Sequence, residues 1–290
     1  MKDTHVLGDF GLSAGTQGAP SLAAYMPFSG YNASKYRNDD GDKTSAPDIN
    51  TFIMGVGGTV ITNFKLLGAN YGANVLICFA SAKVDGNYVQ TKNSLAFSDM
   101  YVQPVQLGWH WKKADLTIGY GLYIPTGKYE LGGDNNTGLG MWTHEFSTGG
   151  TWYLDTRKTF NLSTIAFYGI HSKKRGTDLK VGDILTLEGG LAKSFVISAK
   201  STTPWVLQVG PVYYAQFKIT DDEIPVANQT FSGNKDHIYG LGIEADAVIP
   251  KTRTMLSARW LGEMGAKNRF QGNTFMITIA QSLISFDKKK

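Results

Sequence analysis

The run Trp205-Val206-Leu207-Gln208-Val209-Gly210-Pro211-Val212-Tyr213-Tyr214-Ala215-Gln216-Phe217-Lys218 decides the fold. Successive side chains of an extended chain point to opposite faces. One row is therefore Trp205, Leu207, Val209, Pro211, Tyr213, Ala215 and Phe217, which is apolar throughout. The other holds Val206, Gln208, Gly210, Val212, Tyr214, Gln216 and Lys218, which mixes polar, charged and small residues. Such a strand outruns the roughly five or six residues usual in globular proteins and suffices for the roughly 9–11 that cross a bilayer at a tilt.

The same alternation recurs on both sides of this run. His237, Tyr239, Leu241, Ile243, Ala245 and Ala247 oppose Gly240, Gly242, Glu244 and Asp246. Thr254, Leu256, Ala258 and Trp260 oppose Ser257, Arg259 and Glu263, and Leu116 to Ile124 repeats the pattern against Thr117, Gly119, Gly121 and Tyr123. Strands are expected near 21–33, 51–65, 70–84, 97–112, 114–125, 142–155, 159–171, 183–195, 204–219, 236–249, 253–264 and 273–286. The connections alternate: 35–50, 85–95, 126–140 and 220–235 are long and polar, while 66–69, 113–114, 155–158 and 250–252 are short. Residues 171–182 are of middling length, and 196–203 exceed their class. Long outer loops and short periplasmic turns mark a transmembrane barrel, and an even strand count puts both ends of the chain on the periplasmic side.

Composition agrees. Charged residues make up 18% of the 290, below the roughly 25% of soluble domains, while 34 glycines and 12% aromatics suit strands facing lipid. No apolar run approaches the about 20 residues a membrane helix needs, and in lipid that leaves a closed barrel as the way to pair every backbone group. The fold class expected is all-β: a transmembrane antiparallel β-barrel of about twelve strands in the bacterial outer membrane. An exported chain is then expected here in mature form. The single cysteine, Cys78, excludes an internal disulfide, and the net charge of +4 is too dispersed for nucleic acid. Tyr71, Phe97, Trp109, Trp111, Trp142, Trp152, Trp205 and Trp260 are candidates for interface girdles, against the plainer reading of cross-strand packing.

The inner set contains Glu145, Glu188, Lys218, Glu244, Asp246, Arg259 and Glu263. Unpaired in an apolar core each would cost several kcal/mol, so they are read as lining a hydrated lumen, either filtering solutes or stiffening the wall. No cofactor, metal site or catalytic site is expected. The histidines are scattered, and His144 and Ser147, three apart on a strand, face opposite ways.

Several stretches resemble the phenol-degradation meta-pathway family of outer-membrane channels. They are Tyr25 and Tyr31 with Asn38-Asp39-Asp40-Gly41, the run Phe64 to Ala73, Asp99 to Trp109, Tyr123-Ile124-Pro125-Thr126-Gly127-Lys128-Tyr129, Asn136 to Thr143, and Gly240-Leu241-Gly242. One departure is the ending, where Phe286 is followed by Asp287 and three lysines rather than closing the chain. The resemblance implies a monomeric barrel of about twelve strands in outer-membrane lipid, taking up small hydrophobic or aromatic molecules. It also implies a lumen segment ahead of the first strand. The domains expected are 1–19 as an N-terminal plug, with Val6, Leu7, Phe10 and Leu12 as its apolar face, 20–286 as barrel and 287–290 as tail. The plainer reading of the plug is a frayed terminus.

Pro104, Pro125 and Pro211 each remove a ladder donor and are candidates for a lateral gap through which such a substrate leaves. The alternatives are a narrow porin for small polar or anionic solutes and a soluble β-sandwich. A sandwich would have to pack the Leu and Ile rows against a second sheet.

Overall fold

The computed structural model describes residues 5–87, 90–198, 204–226, 229–232 and 235–286. Twelve long strands follow the alternating segments: β1 Ser21–Arg37, β2 Asp48–Leu66, β3 Ala69–Asp85, β4 Met100–His110, β5 Ala114–Ile124 and β6 Thr143–Tyr153, then β7 Phe160–His171, β8 Ile184–Ile197, β9 Trp205–Lys218, β10 His237–Ile249, β11 Thr254–Lys267 and β12 Arg269–Ser285. Each pairs antiparallel with its neighbours in sequence, and β1 closes the circle on β12, from Ser21 opposite Ser285 to Arg37 opposite Arg269. The short strands Lys43–Thr44, Gln90–Lys92 and Ala96–Phe97 extend the wall at the end with long connections.

Closure leaves no edge, so the outer face can be apolar while the backbone stays paired. Outside stand Ile118, Phe146, Leu241, Ile243, Trp260 and Phe275, all exposed, and among the described residues no second sheet or helix packs against them. This is a transmembrane belt, and the protein is an outer-membrane barrel. Trp111, Trp142 and Trp152 lie at strand ends as a girdle requires, whereas Trp260 sits in mid-strand between Ile243 and Phe275 and belongs to the belt.

Two turns show why the strands end where they do. Leu67 and Gly68 both have positive φ (52° and 81°), the primed geometry whose twist matches a tight hairpin. At the opposite end, one residue, Asn268 (φ 53°), separates β11 from β12, where sequence suggested a loop across 265–272. Asn tolerates the left-handed region, and its amide donates to Asp39 Oδ1 (2.8 Å) and to the Lys235 carbonyl (3.0 Å), tying three connections together. The alternation of long and short connections therefore has one exception. The tail 287–290 and most of the connection after β8 lie outside the described residues.

The interior corrects one expectation. The inner face is not uniformly hydrated: behind β8–β11, Leu12, Ala192, Val212, Tyr214, Ile238 and Leu261 form a dry cluster with Leu7 packed against it. The larger open space lies on the other side, behind β1–β6, and a smaller one adjoins it behind β11, β12, β1 and β2.

Candidate functional site

The chain ahead of β1 makes its hydrogen bonds to inward side chains of the barrel. Glu188, fully buried on β8, accepts from Gly8 N (2.6 Å) and Phe10 N (2.8 Å), and its Oε1 lies 3.2 Å from His5 Nε2. Glu145 on β6 holds His5 Nδ1 at 2.8 Å and accepts from the Tyr101 hydroxyl. Burial alone would lower the His5 pKa, but these two carboxylates outweigh it and keep it well above the ordinary value. Phe167 packs at a tilt against both His5 and Phe10, with centroids 4.5 and 5.0 Å away.

Further along, Glu244 accepts from Leu12 N (3.1 Å) while Arg259 grips it with two 2.7 Å bonds and donates to the Gly8 carbonyl. Gly15 donates to Ser163 Oγ (2.7 Å) and approaches so closely that a Cβ there would lie 2.2 Å from the Gly150 backbone. Only glycine at position 15 lets the segment pass the β6 backbone so closely.

The seven inward residues of the sequence reading thus divide by role. Glu145, Glu188, Glu244 and Arg259 engage the N-terminal segment, and Asp246 is buried on β10 beside them. Glu263 lies apart, accepting from the Tyr31 and Tyr214 hydroxyls (2.9 and 2.7 Å) and from Gly272 N (2.5 Å). Lys218 does not line open space: its side chain is wholly buried and pairs with Asp222 (2.8 Å) and Asp236 (3.2 Å), pinning the connection after β9.

The prolines also separate. Pro104 sits in a bulge where β4 skips pairing with both neighbours, and the Tyr71 hydroxyl caps its carbonyl at 2.7 Å. Pro211 interrupts the ladder with β8 only, the pairing resuming at Gly190–Val212 and Lys193–Val209. Pro125 interrupts nothing, because β5 ends at Ile124 and Pro125 only offers its carbonyl to Arg175. Pro27, which the sequence reading passes over, breaks the β1–β2 ladder between Tyr25–Gly57 and Phe28–Met54 and faces the interior. The signal was available: a proline inside a strand removes a donor wherever it stands.

Two cavities share the walls Val6, Ile49, Thr51 and Ile53. The smaller, about 260 Å³, reaches Tyr31, Glu263 and Arg269. The larger, about 620 Å³, is walled by aliphatic residues, by Phe10 and Cys78, and by Tyr25, Tyr101, Tyr123 and Tyr129. The connection 125–142 roofs it. Asp99 accepts from Gly127 N (3.0 Å) and Leu139 N (2.8 Å), and Ser98 Oγ and Thr137 Oγ1 cross-bond the backbones. His144 and Ser147 stay apart as expected: the His144 ring meets the Tyr120 hydroxyl outside, while Ser147 abuts Gly119.

Fold and outer face define an outer-membrane β-barrel. Residues 33–279 match the family described as "Putative MetA-pathway of phenol degradation", and the chain belongs to that family. Among solved structures it is similar to the COG4313 outer membrane channel from Pseudomonas putida F1, with a TM-score of 0.73 at 9% identity over 92% of this chain and 97% of that one. It also resembles the β domain of the Bordetella autotransporter Brka, with a TM-score of 0.53 at 12% identity over 91% and 100%. No curated protein matches its sequence.

Proposed function

We propose that this barrel is a passive, monomeric channel for small hydrophobic or aromatic molecules, with residues 1–19 partly occluding its lumen. The observation that carries the reading is the tyrosine- and aliphatic-walled cavity of about 620 Å³ beside the N-terminal segment. Its size falls within the roughly 300–1,000 Å³ of small-molecule sites, and its walls offer an apolar solute surface rather than a column of water. The likeness to an outer membrane channel and the family's phenol-degradation label agree with such a solute. Buried side chains hold the adjoining segment through its main chain, which supports a plug rather than a frayed end.

A solute in this cavity has two weak places in the wall to leave by. Pro27 borders the cavity itself, and Pro104 lies unpaired on β4 with its outer face exposed. Uptake of a labelled neutral arene by Gram-negative cells carrying the protein, set beside liposome swelling in sugars, tests the reading. Faster arene uptake with sugar swelling at background is expected. Rapid sugar flux through the intact protein would replace the proposal with an open porin.

A further inference from the structure

Lys174 stands at the roof of the larger cavity, in the connection after β7, and it is the one cation on that cavity's walls among the described residues. Its ammonium lies over the Tyr129 ring, 5.4 Å from the centroid. A ring face attracts a cation without neutralising it.

The nearby acids are engaged elsewhere. Asp99 spends both oxygens on Gly127 N and Leu139 N, Asp222 pairs with Lys218, and Glu145 holds His5 and Tyr101. Asp9, the remaining acid on the cavity, belongs to the N-terminal segment. Burial lowers the Lys174 pKa, and the more distant charges of Asp222 and Asp99 do not make good the loss. A half-buried ammonium with a tyrosine beneath it and an apolar chamber alongside is complementary to an anion carried on an aromatic ring.

From this geometry we infer that the cavity is a binding site for aromatic carboxylates, in which Lys174 pairs with the carboxylate while Tyr129 and the aliphatic wall take the ring. The inference rests on the channel reading above and narrows its substrate class. Lys174 acts here as a specificity residue, so its removal discriminates between charged and neutral rings rather than abolishing binding.

Titration calorimetry of the detergent-solubilised full chain with benzoate and with its neutral isostere benzamide tests it. Benzoate is expected to bind about tenfold more tightly than benzamide, the worth of one charge-assisted contact. Lys174→Gln is expected to erase that difference and leave benzamide unchanged, while Lys174→Arg restores it; heat-modifiable gel mobility confirms a folded barrel in each variant. Benzoate binding no better than benzamide, or undiminished in K174Q, overturns the aromatic-carboxylate site while benzamide binding leaves the channel reading standing. Failure of both ligands to bind the unaltered protein removes both.

Discussion

Glu188 shows how a residue's burial and its partners fix its role. It has no exposed surface and accepts from two backbone amides of the N-terminal segment beside the His5 ring. Glu188→Gln keeps the shape but replaces one acceptor oxygen with a donor, which leaves an amide facing an N–H. The expected cost to docking of the segment is about 1–3 kcal/mol, read as faster cleavage of the N-terminal segment by a protease while the barrel core stays resistant. His5 gives a pH counterpart. Its raised pKa means that attraction to Glu145 and Glu188 is fully present below the unperturbed value of about 6.5 and is lost as pH rises through the raised one. Protection of the segment is therefore expected to persist through neutral pH and to fall on alkalinisation. His5→Gln should flatten the profile. Little of this was legible in the sequence. The carboxylates stood out as polar breaks on an inner face, but His5 lies 140 and 183 residues from its two partners, and no local pattern couples them.

At the scale of the strand, legibility was far better, because a period of two repeats within a few residues and lipid on one side leaves it unblurred. All twelve long strands fall on the alternating segments, and Trp205–Lys218 has Val212, Tyr214, Gln216 and Lys218 buried inside. Less legible was what the inner face meets. Val212 read as a minor member of a wet wall, and instead it packs around Leu12 with Ile238 and Leu261, which the sequence reading leaves unplaced. Prolines needed the strand ends: Pro125 precedes Thr126-Gly127, a turn signal that places it past the ladder, while Pro27 hides in an apolar run. The outer face carries its own expectation. Ile243, 60% exposed midway along β10, faces the bilayer centre. Ile243→Arg is expected to lower unfolding free energy in lipid vesicles by about 2–4 kcal/mol, measured by denaturant titration, and an effect near zero would mean the face does not meet hydrocarbon.

For the molecule as a whole, the interior is divided: a dry side where the N-terminal segment packs behind β8–β11, and a larger chamber behind β1–β6 with a smaller one beside it at β11, β12, β1 and β2. On the channel reading proposed above, the chambered side is the part of the lumen that the N-terminal segment leaves to a solute. Glu188, Glu244 and Arg259 hold that segment by its backbone, while Leu7, Phe10 and Leu12 pack its side chains against the wall. Single-channel conductance of the full chain beside a variant lacking residues 1–18, both verified as folded barrels, tests the occluded lumen most directly. Small, infrequent openings in the full chain and a severalfold larger steady conductance in the truncated one are expected. Equal conductance in the two would contradict it.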